Sequence, residues 1–292
     1  MIAEAAPAKI NLALHVTGRR ADGYHLLDTL VAFADIGDRL NVEAAPTGAG
    51  ITLEITGPFA KGLSGAGDNL VLAAAKALRA AAAEHGKLVP PVRLSLEKNL
   101  PVASGIGGGS ADAAATLRAL NRLWGLDFSL EALADLSAPL GADVPMCVVG
   151  RPLRATGIGT DLDPLAAFGG CDAVLVNPGV SVSTPAVFKA LAKRENAGIG
   201  AVPDLSGRDA LVAFIATCRN DLEATAATLA PAIADALRTV SGTGPLLTRM
   251  SGSGATVFGL YDSADAAARA AAAITSAHPE WWVAPTKLAP AD

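Results

Sequence analysis

The chain has 292 residues, 51% of them hydrophobic and 17% charged, so it can bury a sizeable core and is not intrinsically disordered. Its 23 basic and 28 acidic residues give a formal net charge of −5, and the scattered lysines and arginines exclude a nucleic-acid partner. Charges such as Lys76 and Arg79 interrupt the longest apolar stretches, which excludes a membrane span of roughly 20 apolar residues.

The first third of the chain is predicted to form mainly strands. Alternating apolar residues predict strands at 8–18, 27–45, 51–57 and 92–98. A turn at 19–25, with Asp22 and Gly23 at its tip, connects the first two. Helical periodicity over Asn69–Glu84, with Asp68 as the N-cap, predicts one helix before the last of these strands.

The rest of the chain alternates helices with strands. The predicted helices are 110–124, 129–136 with Ser129 as N-cap, 184–193, 207–218, 221–240 and 263–277. The predicted strands follow a loop at 140–145, begin at Ala173, end in the segment 249–261 and occupy 281–288. This mixture predicts an α+β fold, with a domain boundary near residue 155 that separates 1–155 from 156–292.

Two features indicate the compartment. Cys147, Cys171 and Cys218 are widely spaced in apolar surroundings, which predicts buried reduced thiols and neither a disulfide framework nor a zinc site. Glu4 and Lys9 lie where a signal peptide needs its apolar core, so we expect no export. Both features predict a cytoplasmic protein.

The segment LPVASGIGGGSADAAATLRAL contains four glycines between a predicted strand and a predicted helix. Glycines at the start of a helix let backbone N–H groups converge where the helix dipole favours an anion. The segment lacks the lysine of the P-loop, and Ser110 replaces the third glycine of the dinucleotide fingerprint. It predicts a phosphate-binding loop of another type, although a merely flexible start of the helix would have a similar composition.

Three other segments carry candidate chemistry. Lys9 and Asn11 lie on one face of the first strand, where they could line a cleft, although a lysine on a strand is commonly a surface residue. Asp143, in LGADVP, is the one carboxylate of a long apolar neighbourhood and fits either a group that takes or orients a hydroxyl proton or a turn former or helix cap. The segment SGSGATVF, 251–258, is a glycine turn before a strand.

In this order, PAKIN, the glycine-rich segment and SGSGATVF resemble the three motifs of the GHMP kinase superfamily. The resemblance covers most of the chain and implies a two-domain fold with the active site in the cleft between the domains. Within the superfamily, the chain most resembles the branch that phosphorylates the 2-hydroxyl of a cytidine diphosphate-linked methylerythritol. Three segments carry this closer resemblance: PAKINLALHVTGRRADGYHLLDTL, LGADVP and NPGVSVSTPAVF. Homoserine and mevalonate kinases lack the RADGYH turn in that place.

The resemblance also implies roles for individual residues. Asp143 would take or orient the proton of the acceptor hydroxyl, and Lys9 would stabilise charge on its oxygen. ATP would be bound by Asn69, Lys98, Pro101, Val102, Ala103, Ser104, Gly105, Ile106, Gly107, Gly108, Gly109 and Ser110. The cytidine substrate would be bound by Asn11, Tyr24, His25, Asp143, Thr184 and Phe188, with cytosine stacked between Tyr24 and Phe188.

Several alternatives stay open. Tyr24 could be an exposed turn residue, His25 a surface histidine and Phe188 an ordinary core residue. Asp112 and Thr160 depart from the family's usual residues, and no Mg²⁺ ligand is identified beyond the ATP phosphates and Ser110. The acceptor could be a sugar, homoserine or a mevalonate-type alcohol, or the chain could be a non-catalytic nucleotide-binding relative. We expect a monomer or weak homodimer without membrane or nucleic-acid partners.

Overall fold

A computed structural model describes residues 1–64 and 69–289 of the chain. Its strands are β1 (Ile2–Arg19), β2 (His25–Ala44), β3 (Ile51–Thr56), β4 (Val92–Glu97), β5 (Leu153–Gly157), β6 (Asp161–Pro164), β7 (Cys171–Asn177), β8 (Leu247–Met250), β9 (Val257–Tyr261) and β10 (Trp282–Ala289). Its helices are α1 (Leu70–Glu84), α2 (Gly108–Trp124), α3 (Leu130–Ser137), α4 (Val144–Val149), α5 (Thr184–Ala190), α6 (Arg208–Thr217), α7 (Glu223–Leu229), α8 (Ala232–Ser241) and α9 (Ala264–Ala277). The predicted α+β class is confirmed.

The chain forms two compact units that are not consecutive in sequence. The first unit comprises Met1–Ala8, Gly37–Val102 and Gly107–Gly150. The second comprises Lys9–Ile36, Ala103–Ile106 and Arg151–Asp292. The last change of unit, after Gly150, lies close to the boundary predicted near residue 155, whereas the segment that begins at Lys9 clusters with the C-terminal residues. The division into 1–155 and 156–292 stays a prediction.

In the first unit, a small sheet is covered by helices. β3 runs parallel to β4, and β4 runs antiparallel to the last residues of β2, with Arg39 opposite Glu97. Helices α1 and α2 pack against each other, and Leu78 of α1 and Leu117 of α2 are completely buried. The apolar faces that the sequence pattern predicted therefore form the core of this unit.

In the second unit, four antiparallel strands follow the order β10, β7, β9 and β8. The residues Leu27–Val31 of β2 pair with β5, which pairs with β6 in turn. Helices α8 and α9 pack on strands of this unit, and buried residues such as Val174, Val257 and Ile274 form its core.

The structure differs from the predicted elements at four places. The strand predicted after Asp143 is the helix α4, because a short apolar run fits either element and Pro145 is tolerated in a first helical turn. The single helix predicted over 221–240 is divided into α7 and α8 at Pro231, which cannot donate the hydrogen bond of a helix interior. The strands β5 and β6 form within 153–164, where no element was predicted, and α5 ends three residues before the predicted Lys193.

The predicted helix starts are accurate where a side chain caps the helix. Ser129 caps α3, as predicted, and Ser263 caps α9. The N-cap of α1 is Asn69, whereas the predicted Asp68 lies outside the described residues. No helix in the described ranges is both long and apolar enough to cross a bilayer.

His15 makes the stability of the second unit depend on pH. Its side chain is 2% exposed, its Nε2 accepts a hydrogen bond from the Arg219 N–H, and its Nδ1 lies 3.1 Å from the Ala197 carbonyl oxygen. Accepting at Nε2 requires a neutral ring that donates from Nδ1. Burial lowers the pKa of His15, and the Arg219 charge lowers it further.

A folded-state pKa below the unfolded value of 6.5 means that the unfolded chain binds the proton more readily. We therefore expect the free energy of unfolding to be unaffected by His15 above pH 6.5 and to fall below it, by at most about 1.4 kcal/mol per pH unit. Urea denaturation at pH 5, 6, 7 and 8 measures this slope, which should be smaller in His15→Gln. Exposed His85→Gln controls for the loss of one imidazole, and equal slopes in the unchanged protein and His15→Gln would contradict the prediction.

Candidate active site

Lys9 is a buried residue of β1 and belongs to the second unit. Its side chain is 3% exposed, so the surface alternative is wrong. Its backbone N–H donates to the carbonyl of Ile106, at 2.9 Å, which joins the lysine strand to the glycine-rich segment. A buried ammonium group requires polar or anionic partners, and it therefore favours a site of function over a solvated strand face.

The glycine-rich segment also contacts the C-terminal glycine turn within the second unit. The Thr256 N–H donates to the carbonyl of Ser104, and the Ser251 hydroxyl donates to the carbonyl of Gly105. Gly105 has φ +77°, and a Cβ there would lie 2.6 Å from the Gly254 carbonyl oxygen. Only glycine fits this position, because any side chain would overlap backbone atoms. The two glycine segments, which are about 150 residues apart in sequence, thus form one structure.

Asn11 lies in the same network. Its backbone N–H donates to the Ser251 hydroxyl at 3.0 Å, and its amide nitrogen donates to the Thr29 hydroxyl at 2.9 Å. Its side chain is 3% exposed, and its Oδ1 has no hydrogen-bond partner among the described residues. A buried amide oxygen without a protein partner is unfavourable, so a water molecule or a donor group of a ligand would satisfy it.

In the first unit, the glycine-rich segment becomes helix α2. The helix begins at Gly108, two residues before the predicted start, and its N-cap Gly107 has φ +67°. Among the described residues no side chain caps this helix, and Gly109 is exposed. The backbone N–H groups of the first turn are therefore available to an anion, where the helix dipole adds to their attraction.

Beneath this first turn lies a buried charged cluster. Lys98 Nζ contacts the carboxylate of Asp38 and lies 2.6 Å from Asp112 Oδ2, and each of the three residues is at most 4% exposed. Burial raises the pKa of Asp112 to about 7 against the lowering effect of the Lys98 charge, and the Asp38 carboxylate raises it further. The ammonium group of Lys98 is thus held by two carboxylates, and its predicted contact with the nucleotide stays a prediction.

Asn69 and Asp143 each lie at the start of a helix in the first unit. Asn69 Oδ1 accepts the Val71 N–H at the start of α1, and its amide nitrogen donates to the Ser64 carbonyl. Asp143 precedes α4, and its carbonyl accepts the Cys147 N–H at 3.2 Å. In the described part of the chain, the Asp143 carboxylate does not cap α4, so the helix-cap alternative does not explain it.

Two of the residues predicted to bind the cytidine substrate contact each other in the second unit. His25 and Phe188 are stacked, with ring centroids 4.7 Å apart, and the neighbouring Tyr24 is 62% exposed. His25 Nε2 is buried without a hydrogen-bond partner in residues 1–64 and 69–289. Burial lowers the pKa of His25, as do the charges of Arg19 and Arg194, so its ring is neutral at pH 7.

Thr184 begins α5, the helix that carries Phe188. Its hydroxyl lies 2.7 Å from the hydroxyl of Ser253, in the C-terminal glycine turn. The predicted substrate residues Thr184 and Phe188 are therefore connected to the same turn that contacts Asn11. Sequence reasoning missed Thr29 in this network, because a threonine in a strand has no distinctive pattern, whereas Ser253 lies in the glycine turn 251–258 that the sequence singled out.

No group of three or more histidine, cysteine, aspartate or glutamate side chains is arranged to hold a metal ion within the described residues. Kinases commonly hold Mg²⁺ with few protein oxygens and the phosphates of the nucleotide. The Ser110 hydroxyl, half-buried in the first turn of α2, is an oxygen donor in a suitable place for that mode.

Comparison with known proteins agrees with these features. The GHMP kinases N terminal domain matches residues 69–151, and the GHMP kinases C terminal domain matches residues 208–280. A 4-diphosphocytidyl-2-C-methyl-D-erythritol kinase of Paracoccus denitrificans (strain Pd 1222) is 52% identical over 289 residues, covering 99% of this chain and 97% of that protein. A kinase of the same name from Cereibacter sphaeroides (strain ATCC 17025 / ATH 2.4.3) is 53% identical, and the match covers 97% of this chain and 98% of that protein.

Solved structures show the same relationship. A crystal structure of 4-(cytidine 5'-diphospho)-2C-methyl-D-erythritol kinase has 36% identity and a TM-score of 0.78, covering 99% of this chain and 100% of that one. The homoserine kinase of Cytophaga hutchinsonii ATCC 33406 has a TM-score of 0.74 at 18% identity, and the match covers 99% of this chain and 94% of that one. At this low identity the likeness shows a shared fold alone.

Proposed function

This chain belongs to the 4-diphosphocytidyl-2-C-methyl-D-erythritol kinases of the GHMP kinase family, and we propose that it transfers the γ-phosphate of ATP to the 2-hydroxyl of 4-diphosphocytidyl-2-C-methyl-D-erythritol. The products are the 2-phosphate and ADP, in the non-mevalonate route to isoprenoid precursors. The observation that carries this assignment is about 50% identity over nearly the whole chain to kinases of that name. The alternative acceptors have no comparable support.

The ATP phosphates are proposed to bind at the start of α2. The glycines 107–109 leave room for the phosphate oxygens, and the uncapped N–H groups of the first turn donate to them. Asn69 and the rest of the segment from Pro101 to Ser110 would position the nucleotide. Mg²⁺, held by the phosphates and the Ser110 hydroxyl, would supply neutralisation of the phosphate charge.

Lys9 and Asp143 are proposed to act on the acceptor. Phosphoryl transfer needs an acceptor oxygen that loses its proton as the new P–O bond forms. Asp143 would accept or orient that proton, and the Lys9 ammonium group, fixed on a buried strand, would stabilise the negative charge on the oxygen. A protein that only binds a nucleotide needs neither residue. The presence of both Lys9 and Asp143 therefore supports a catalytic function.

The cytidine part of the substrate is proposed to bind beside Tyr24, His25 and Phe188. The exposed Tyr24 ring offers a face for cytosine, and the neutral His25 ring offers Nε2 for a hydrogen bond to the base. Asn11 Oδ1 would accept a hydrogen bond from the substrate, and Thr184 would contact it from the start of α5. A pyrimidine explains the aromatic group better than homoserine or mevalonate, which have no ring to stack.

We also propose a cytoplasmic location and a monomer or weak homodimer. The support for the compartment is that Cys147, Cys171 and Cys218 are buried thiols, as the sequence predicted. Size-exclusion chromatography with light scattering at several concentrations would measure the oligomeric state.

The function is tested by a comparison of acceptors. Purified protein with Mg-ATP is given 4-diphosphocytidyl-2-C-methyl-D-erythritol, homoserine, galactose or mevalonate, and ADP release is followed. We expect ADP release with the cytidine compound at a kcat/KM at least a hundredfold above that for the others. Turnover of another alcohol without turnover of the cytidine compound would overturn the assignment.

Replacement of Phe188 with leucine should weaken the binding of the cytidine substrate and leave the binding of ATP nearly unchanged. Base stacking contributes about 1–3 kcal/mol per base, so we expect KM for this substrate to rise about tenfold or more while KM for ATP stays within twofold. Steady-state kinetics with each substrate varied in turn measures both. Phe214→Leu, at a half-buried phenylalanine of α6, is the matched control, and an equal rise in both KM values for Phe188→Leu would contradict the proposed stacking.

A further inference from the structure

Asp38 lies at the centre of the buried cluster below α2 and has no role in the function proposed so far. Its side chain is completely buried, and it lies on β2, 60 residues before Lys98. Its Oδ2 contacts Lys98 Nζ, and its Oδ1 accepts the N–H groups of Asn99 and Leu100 at 2.6 and 2.9 Å. One carboxylate thus holds three consecutive residues at the point where the chain leaves β4 and enters the glycine-rich segment.

The cluster continues from Asp38 to the helix that follows the glycines. Lys98 Nζ lies 2.6 Å from Asp112 Oδ2, in the second turn of α2. A Cβ on Gly108 would lie 3.5 Å from Lys98 Nζ and 3.7 Å from Asp38 Oδ2. The charged groups are therefore directly below the first turn of α2, and they connect the residues before the glycines to the residues after them.

Stability alone is a poor explanation of this cluster. Burial of charged groups carries a large desolvation penalty, and buried ion pairs can often be replaced by apolar residues without loss of stability. Here two carboxylates share one ammonium group, and Asp112 Oδ1 has no hydrogen-bond partner in the described part of the chain. The better explanation is position, since Gly107, Gly108 and Gly109 have no side chains that could fix the backbone by packing.

We infer that Asp38 is a positioning residue for the nucleotide: it fixes the start of the glycine-rich segment directly and the first turn of α2 through Lys98 and Asp112. This inference rests on the proposed function, because it assigns the ATP phosphates to that turn. Because Asp38 touches neither substrate, its loss should weaken the binding of ATP and leave the binding of the alcohol acceptor nearly unaffected.

The test is Asp38→Asn, which retains an oxygen for the Asn99 and Leu100 N–H groups and removes the charge that holds Lys98. We expect the dissociation constant of Mg-ATP, measured by calorimetry without acceptor, and KM for ATP to rise about tenfold or more, since hydrogen bonds to charged groups are worth about 1.5–3 kcal/mol. KM for the acceptor should change less than threefold. An unchanged ATP affinity, or an equal rise in both KM values, overturns the inference.

Glu4→Gln is the matched control, because Glu4 forms a partly buried ion pair with Arg118, at 2.7 Å, in the same unit. Glu4→Gln should leave the affinity for ATP within twofold of that of the unchanged protein. A tenfold loss of affinity in this control would overturn the inference, because it would show that the loss of any ion pair weakens ATP binding. If Asp38→Asn does not fold, Asp38→Ser replaces it, because it leaves Lys98 and Asp112 unchanged, and the same loss of ATP affinity is expected. Failure of both to fold overturns the inference, because it assigns the cluster to folding.

Failure of the proposed function is distinguishable from failure of this inference. The unchanged protein that binds Mg-ATP but phosphorylates none of the four alcohols would contradict the function, whereas the calorimetric comparison of Asp38→Asn with the unchanged protein would still decide the role of Asp38.

Discussion

Replacement of Asp143 with asparagine is expected to lower kcat about a thousandfold, while the protein still folds and binds ATP. The amide is nearly isosteric with the carboxylate but cannot accept the proton of the acceptor hydroxyl, and a positioned general base contributes typically about 10²–10⁴-fold. Phosphoryl transfer depends on position and charge, so the nucleotide sites that hold ATP should keep their affinity. Single-turnover measurement of ADP formation, combined with calorimetric titration of Mg-ATP, separates the two effects.

The matched control is Asp135→Asn, an exposed aspartate of α3 in the same unit. It makes the same chemical change and should leave kcat within twofold. If the kcat of Asp143→Asn lies within tenfold of that of the unchanged protein, Asp143 has no part in the mechanism. A loss of ATP affinity equal to the loss of kcat would instead identify it as a nucleotide-binding residue.

The second large effect is expected from Gly105→Ala, which should destabilise the second unit and abolish most activity. The added Cβ would lie 2.6 Å from the Gly254 carbonyl oxygen and 2.7 Å from that of Ser251, both backbone atoms that cannot move alone. The left-handed backbone at φ +77° adds strain of about 1–2 kcal/mol for a residue with a Cβ. Together with overpacking, the expected loss in the free energy of unfolding is about 2–5 kcal/mol.

Urea denaturation measures the loss of stability, and kcat is measured on the remaining folded protein. Gly86→Ala is the control, since Gly86 has a similar φ of +71° but no atom within 4 Å of the added Cβ. It should lose only the 1–2 kcal/mol of backbone strain. Equal losses for the two variants would show that the approach of the glycine-rich segment to the C-terminal glycine turn does not restrict residue 105.

Much of the local structure was predictable because local interactions determine it. Ser129 is followed by a helix whose first turn it caps, and the alternation in VRLSLEK gave β4 within one residue. Local patterns failed where they were ambiguous: VPMCVV fits a strand as well as a short helix, and the apolar periodicity over 221–240 concealed the break at Pro231. The two glycines inside the first turn of α2 likewise moved the start of that helix.

The candidate site was predictable in its composition but not in its partners. Lys9, Asn11, the glycine-rich segment and Asp143 carry the family resemblance in their residue types and order. The sequence did not predict that Ser251 would bind Asn11, 240 residues away, or that Phe188 would stack on His25. Asp38 was missed because an aspartate in a strand is usually a solvated residue, and only its burial against Lys98 distinguishes it.

The sequence by itself determined the class of the fold, most of the helix starts and the three motifs of a kinase, since these depend on periodicity, capping and residue order within about 20 positions. The tertiary structure alone decided that Lys9 is buried, that Gly105 meets the turn at Ser251 and that Lys98 is held by two carboxylates. Those features depend on contacts between residues far apart in the chain, whose energies exist only once the strands and helices have packed.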